Sequence, residues 1–251
     1  MISDPIFYVA AVIGVVFLGL AKGGFSGVGL VATPLIALTV PPVQAAAIVL
    51  PILLVQDVIT VWVYRRDWDA WNLKVLLPGA VVGIGIGWAL VAYVSEPYVR
   101  LALGIITLAF VLNAWFGAEQ KVAMRPSVRS GVMWGALSGF TSMISHAGAP
   151  PFQMHLLPQR LDRIVFAATA GVFFAALNAI KIVPFFLLGQ FSMENLATSA
   201  VLFPFAIATN LLGIWVVRVM PTEWFYRVVY FLLFLISLEL VRGGLMGIYA
   251  G

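Results

Sequence analysis

Lys22-Gly23-Gly24-Phe25-Ser26-Gly27-Val28-Gly29 decides how this chain folds. The stretch lies between two apolar runs, residues 6–20 and 30–38. A helix crossing a bilayer core of roughly 30 Å takes about 20 residues, so each run reads as too short for one span. Four glycines within positions 23–29 disfavour continuous helix and open backbone conformations that other residues resist. A lysine stands at the interruption, where charge is costly unless it meets water, protein or a ligand. The expectation is a broken helix whose amides and cation meet an anion.

Composition places that break in a membrane. Of 251 residues, 63% are hydrophobic and 10% charged, and the mean hydropathy is +1.07. The chain reads as an all-α polytopic protein, multi-pass in a cell membrane of the bacterial or archaeal inner-membrane kind, with lipid as its surroundings. The 18 Phe and 8 Trp suit lipid-facing and interfacial positions. A net charge of +4 does not point to nucleic acid, because the basic residues lie in short loops where they set orientation. The absence of cysteine excludes disulfides, thiolate metal sites and cysteine redox chemistry. No metal or cofactor is expected. Residues 1–5 lack a basic leader, so the first apolar run is read as part of the mature protein.

From the break outward, the chain reads as two similar halves. In the first, 1–117, a hairpin over 6–40 precedes spans at 43–64, 75–94 and 98–116, with Pro41-Pro42 as a turn. The glycines at 79, 83, 85 and 87 favour close helix packing or local distortion. A polar linker, 118–130, carries Lys121, Arg125 and Arg129. The second half, 131–251, has an interrupted segment at 131–157, broken by Ser145-His146-Ala147-Gly148, then spans at 164–188, 196–217 and 225–248. At an offset of 121 residues, Gly27 meets Gly148, Ala46 and Ala47 meet Ala167 and Ala168, and Asp57 meets Asn178.

Loop charge relates the halves. The loop at 65–74 is basic while its counterpart at 189–195 has no Lys or Arg; 39–42 is uncharged while 158–163 carries two arginines. Corresponding loops therefore lie on opposite sides, and the halves read as inverted repeats. With the linker and Arg160 and Arg163 both cytoplasmic, 131–157 becomes a re-entrant hairpin. Its twin, 6–40, enters from the other face. Two broken hairpins meeting near the midplane fit the logic of secondary transporters.

On its length, its two similar halves and the Gly-Gly-Phe-x-Gly-x-Gly stretch at 23–29, the chain resembles the TauE/SafE family, also called the sulfite exporter or four-toluene-sulfonate uptake permease family. The partner stretch runs from Ser138-Gly139-Phe140 to Gly148, where it departs from a glycine-rich form. The resemblance implies movement of small sulfur-containing or organic anions such as sulfite, sulfonates and sulfoacetate-like compounds.

Lys22 leads the candidate residues, weighed against a lysine snorkelling to an interface. The amides of Gly23, Gly24, Phe25, Ser26 and Gly27 are candidates to hold a sulfonate at a half-helix N-terminus, against the plainer reading of a tight turn. Ser145, His146 and Gly148 form the opposing tip. His146 is either a structural hydrogen-bonding group or a proton-coupling one. Asp57 reads as an ion-pair partner for Lys22 or a proton carrier, and Asn178 as its neutral equivalent in the substrate site. Thr33, Gln56, Thr60 and Gln153 offer neutral hydrogen bonds.

Lys181, three residues beyond Asn178, reads equally as an outer-vestibule cation or a snorkelling lysine. Glu239 and Arg242 are expected to pair, Asn113 and Asn210 to tie helices together, and Arg65, Arg66, Arg160 and Arg163 to set topology. His155 reads as a hairpin-end residue rather than a metal ligand.

The resulting expectation is a non-enzymatic carrier of small organosulfur anions, working by alternating access around a midplane site between the tips. The rival readings are an anion channel and a non-transporting membrane scaffold. Coupling to protons or sodium ions stays open, as does direction: a negative interior favours anion export by uniport, and uptake needs a coupling ion.

Overall fold

The computed structural model describes residues 2, 4–37, 39–40, 42–91, 93–116, 126–187, 189 and 191–250. Among them the regular elements are helical and no strand occurs: α1 Pro5–Gly23, α2 Ala32–Ile36, α3 Pro42–Val63, α4 Ala70–Leu90, α5 Glu96–Phe116, α6 Val128–Ser145, α7 Ala149–Leu156, α8 Arg163–Leu187, α9 Met193–Val219 and α10 Thr222–Ala250. Short 3-10 turns sit at Val28–Val31 and Leu157–Gln159. Seven of the helices (α1, α3, α4, α5, α8, α9 and α10) are long and apolar enough to cross a membrane. The chain is a polytopic all-helical membrane protein. Pro41, Lys121 and Arg125 lie outside the described residues, and Arg129 is exposed in the first turn of α6.

Capping side chains explain where four helices begin. Asp4, Asp69, Ser127 and Ser192 accept from the backbone N–H of Ile6, Asn72, Ser130 and Asn195. Each satisfies a donor that the first helical turn leaves unpaired. Hence α4 starts at residue 70 rather than 75, α6 at 128 rather than 131, and α9 at 193 rather than 196. Hydrophobicity locates the apolar centre of a helix, whereas the polar cap fixes its edge.

One expectation needs correcting. The first helix does not stop at Leu20 but continues through Ala21, Lys22 and Gly23 for 19 residues. At about 1.5 Å per residue it rises about 28 Å, enough for a crossing. Lysine is a good helix former and one terminal glycine costs only about 1 kcal/mol, so the helix runs three residues past the apolar run. At Gly24 the backbone turns to φ 145°, which L side chains rarely adopt.

The helices group into two compact units. The first comprises residues 1–68 and 164–220, the second 69–163 and 221–251. In the first unit, α2 packs back on α1, and α1 packs along α9. Phe7, Ala11, Val15 and Leu18 of α1 bury against Ala32 and Ile36 of α2, Ile48 and Ile52 of α3, and Leu202 and Ala206 of α9. Gly19 and Gly23 lie so close to Thr209 and Gly213 that a Cβ at either would collide with α9.

In the second unit, α7 packs on α6, α6 runs along α4, and α5 along α10. Gly79 and Gly83 of α4 meet the Val132 and Ala136 backbone, and Gly135 and Gly139 of α6 meet the Leu76 and Ala80 backbone. Both helices thus present glycines every four residues along one face, the small-residue contact that lets backbones touch without a driving force from water. The glycines after Pro78 serve close packing, apart from Gly85, which faces open space.

Candidate functional site

The end of α1 is held by one face of α3. Asp57, Thr60 and Tyr64 follow one another at helical spacings of three and four, which puts them in a row. Asp57 pairs with the Lys22 ammonium. Thr60 Oγ1 donates to the Lys22 carbonyl at 3.5 Å, and the Tyr64 hydroxyl to the Gly23 carbonyl at 2.9 Å. A broken helix leaves its last carbonyls without N–H partners, and here Thr60 of α3 and Tyr64 just after it supply donors to two of them. The Lys22 charge also sits in the last turn, where the helix dipole favours a cation.

A second layer surrounds that contact. Asn178 of α8 donates to the other Asp57 oxygen at 2.7 Å. Lys22 Nζ lies 6.0 Å from the Phe174 ring centroid, within reach of a cation–π attraction. Asn210 of α9 donates to Thr60 Oγ1 at 3.2 Å and to the Gln56 carbonyl at 2.8 Å. Gln56 Nε2 donates to the Ala206 carbonyl at 3.1 Å. Its Oε1 is buried and takes no hydrogen bond among the described residues.

Lys181 completes the cluster one helical turn beyond Asn178. It is 1% exposed and within electrostatic reach of both Lys22 and Asp57. Burial inside the first unit does not fit a lysine snorkelled out to an interface. An apolar run around a lysine reads alike in either place, and only the packing partners reveal depth.

The glycine amides behave differently from expectation. Gly23 is the last residue of α1, and the N–H groups of Gly24 and Phe25 donate to the carbonyls of Ala21 and Leu20, both at 3.2 Å. These amides close a helix C-terminus instead of opening an N-terminus toward an anion. Ser26 is buried, and Gly27 at φ 111° precedes the 3-10 turn, whose Val28 N–H donates to Phe25.

Ser145, His146 and Gly148 belong to the second unit. His146 caps α6 in the left-handed conformation, φ 55°, its N–H donating to the Ser142 carbonyl at 3.2 Å. Ser138 Oγ donates to the Gly148 carbonyl at 2.6 Å, and Thr141 Oγ1 to that of Ala147 at 2.9 Å. This tip too is closed by side chains reaching back to carbonyls.

At the far end of the same hairpin, His155 joins three helices. Ser130 Oγ lies 3.0 Å from its Nδ1, and Asn72 Oδ1 lies 2.9 Å from its Nε2. Gln159 Nε2 donates to the same Asn72 oxygen, whose amide nitrogen donates back to Gln159 Oε1. That oxygen only accepts, so Nε2 carries a proton and donates to it. Burial pushes the imidazole down to about 4.

Tyr64, Asn72, Ser130 and Gln159 are residues the sequence reading did not single out. Spacing from Asp57 could have found Tyr64, and Gln159 stands one turn beyond His155, to whose carbonyl it donates; nothing local connects Asn72 and Ser130. Asn210 ties helices as expected, Asn113 is exposed and does not, and Arg242 grips Glu239 through two bonds of 2.8 Å. No group of three metal-binding side chains occurs among the described residues.

The model of the sulfite exporter TauE/SafE family matches residues 11–240, nearly the whole chain. No curated protein and no solved structure matches it. The chain belongs to this family of membrane transporters.

Proposed function

We propose that the chain is a secondary carrier of small organosulfur anions, sulfite, sulfonate or sulfoacetate in type, working by alternating access. Its substrate meets the buried Lys22, Asp57, Asn178 and Lys181 cluster of the first unit. One observation carries the reading: two lysines and one aspartate are buried together inside a chain of which only 10% of residues are charged. Intramembrane charges are retained where they serve a pathway, since each is expensive to bury.

The reading includes two inverted repeats, residues 1–117 and 131–251, joined by a cytoplasmic linker. Asp57 and Asn178, equivalent under the 121-residue offset, hydrogen-bond to each other. The pairing of α1 with α9 and of α6 with α4 supports the same relation, because α1 corresponds to α6 and α9 to α4. Rocking of one part against the other around a fixed site is the mechanism such repeats favour. Proton or sodium coupling, with Asp57 or His146 as the linked group, is the part of the proposal on which direction depends.

The test is flux of radiolabelled sulfite and sulfonates into liposomes by wild type and Lys22→Ala, with folding checked by gel filtration. Saturable flux lost in the folded variant supports the carrier. Flux that survives in Lys22→Ala sinks this site. Currents far above carrier turnover point to a channel, and no flux or binding with any anion points to a scaffold.

A further inference from the structure

The interruption after α1 is a helix C-terminus, so it presents carbonyls rather than amides to its surroundings. Aligned peptide dipoles make such an end partially negative, and it favours cations. The carbonyls of Lys22 and Gly23 stand there, facing the hydroxyls of Thr60 and Tyr64. In membrane carriers, half-helix C-termini and unwound carbonyls are places where a coupling cation is held.

Three neutral side chains adjoin that end. Gln56 and Thr60 stand one turn apart on α3 and meet Asn210 of α9, and all three are 0% exposed. Gln56 Nε2 is fixed on the Ala206 carbonyl at 3.1 Å, one turn before Asn210. That anchors its amide between α3 and α9, where Oε1 is buried with no hydrogen-bond partner among the described residues. A buried amide oxygen left in this way is costly, and an ion or a water is what ordinarily satisfies it.

Thr60 is under-used as well. Its hydroxyl has one proton for two acceptors, Asn210 Oδ1 at 3.3 Å and the Lys22 carbonyl at 3.5 Å. Both separations exceed the roughly 2.5–3.0 Å of an ordinary O–H···O bond. Oxygens that share a cation at about 2.4 Å along octahedral directions lie roughly 3.4 Å from one another. The two separations match that spacing better than they match a hydrogen bond.

We infer that Gln56 Oε1, Thr60 Oγ1, Asn210 Oδ1 and the Lys22 carbonyl form a sodium site, and that sodium is the ion coupled to anion movement. The inference rests on the carrier reading above and deepens it by naming the coupling ion. The four donors are neutral, which suits a single positive charge; calcium and magnesium sites draw on carboxylates. The neighbouring carboxylate, Asp57, is engaged by Lys22 and Asn178 and offsets the Lys22 ammonium. Potassium, being larger, spreads its ligands further apart than these separations. The Lys22 main chain holds the ion while its side chain stands in the substrate cluster. Sodium therefore orders the residue that meets the anion, and the two ligands favour one another's binding.

The experiment separates ion binding from transport. Purified wild type, Gln56→Met and Thr60→Val are melted in detergent in sodium, potassium or choline chloride at constant ionic strength, with no sulfur anion present. A ligand that binds the native state raises its apparent stability by mass action. Sodium is expected to raise the wild-type melting temperature saturably, with potassium needing about tenfold more and choline inert. Each replacement stays close to the original side-chain size and removes one ligand oxygen, and the sodium midpoint is expected to rise by about tenfold or more. In liposomes, wild-type sulfonate flux is expected to fall by about tenfold or more when choline replaces sodium.

Wild type that melts alike in sodium and choline overturns the inference without needing any variant, and leaves the carrier standing. A sodium midpoint unchanged in both folded variants overturns the site. Flux that continues undiminished in choline overturns the coupling and keeps the carrier. Saturable sodium binding with no flux of any sulfur anion supports the ion site and removes the carrier reading beneath it.

Discussion

Asp57 and Asn178 stand 121 positions apart in the chain, and the Asn178 amide donates to the Asp57 carboxylate at 2.7 Å. The same offset aligns the glycines and alanines of the two halves. On the proposed inverted repeat, equivalent positions come together where its axis passes between them. The difference between a carboxylate and its amide isostere then decides which half holds the charge.

Exchanging the two tests that relation. Asp57→Asn leaves the buried Lys22 ammonium facing amides alone, and breaking a buried pair in this way costs about 3–5 kcal/mol. Adding Asn178→Asp returns a carboxylate to the same spot, and thermal unfolding in detergent is expected to recover at least half of the loss. A double variant as unstable as the two single changes summed would show that the positions are not interchangeable.

The Tyr64 hydroxyl is the acceptor's partner at the last carbonyl of α1. Tyr64→Phe keeps the ring and strands the Gly23 carbonyl, an unsatisfied buried group worth about 1–3 kcal/mol. A drop of that size in unfolding free energy, with Arg218 still 5.9 Å from the ring centroid and so unaffected, is the expected result. A change near zero would mean water takes the carbonyl instead.

Two glycines of α4, two residues apart, should respond in opposite directions. A Cβ at Gly83 collides with the Ala136 backbone, while at Gly85 it meets nothing within 4 Å. Gly83→Ala is expected to destabilise by about 1–3 kcal/mol through overpacking. Gly85→Ala should be neutral or stabilising by up to about 1 kcal/mol, from helix propensity alone. Comparing the two melting temperatures reads the sign directly.

His155 gives the second unit a dependence on acid. Its imidazole is held at about 4, below the ordinary 6.5, because burial disfavours the charged ring. The unfolded chain therefore binds a proton first. The stabilisation is complete above pH 6.5 and fades as pH falls from 6.5 toward 4. The helix that carries His155, α7, is not among those long enough to cross a membrane. Over that window His155→Gln should lose less stability than wild type, with the two curves parallel above it. Parallel curves throughout would remove His155 from the acid response.

Much of this was legible in the sequence, for physical reasons that differ from residue to residue. Long apolar runs fix the membrane class because composition alone decides solubility in lipid. A Lys22–Asp57 pair was one of the two readings of Asp57, beside a proton carrier, because a buried cation needs a counter-charge. The α1 terminus was misplaced because glycine discourages helix without forbidding it, and the amides of Gly24 and Phe25 turned out to serve the helix they end. Lys181 was left between a vestibule cation and a snorkelled lysine because burial is a property of neighbours. Asn72 and Ser130 converge on His155 from two separate helices, a meeting that no local pattern encodes.

The seam between α4 and α6 has a mechanical meaning. Where side chains separate two helices, rotamer changes let one slide on the other. Here backbone rests on backbone at Gly79, Gly83, Gly135 and Gly139, so no compliant layer remains to absorb a displacement. The two helices behave as a single stiff beam, with His155 gripping one end and His146 turning the chain at the other.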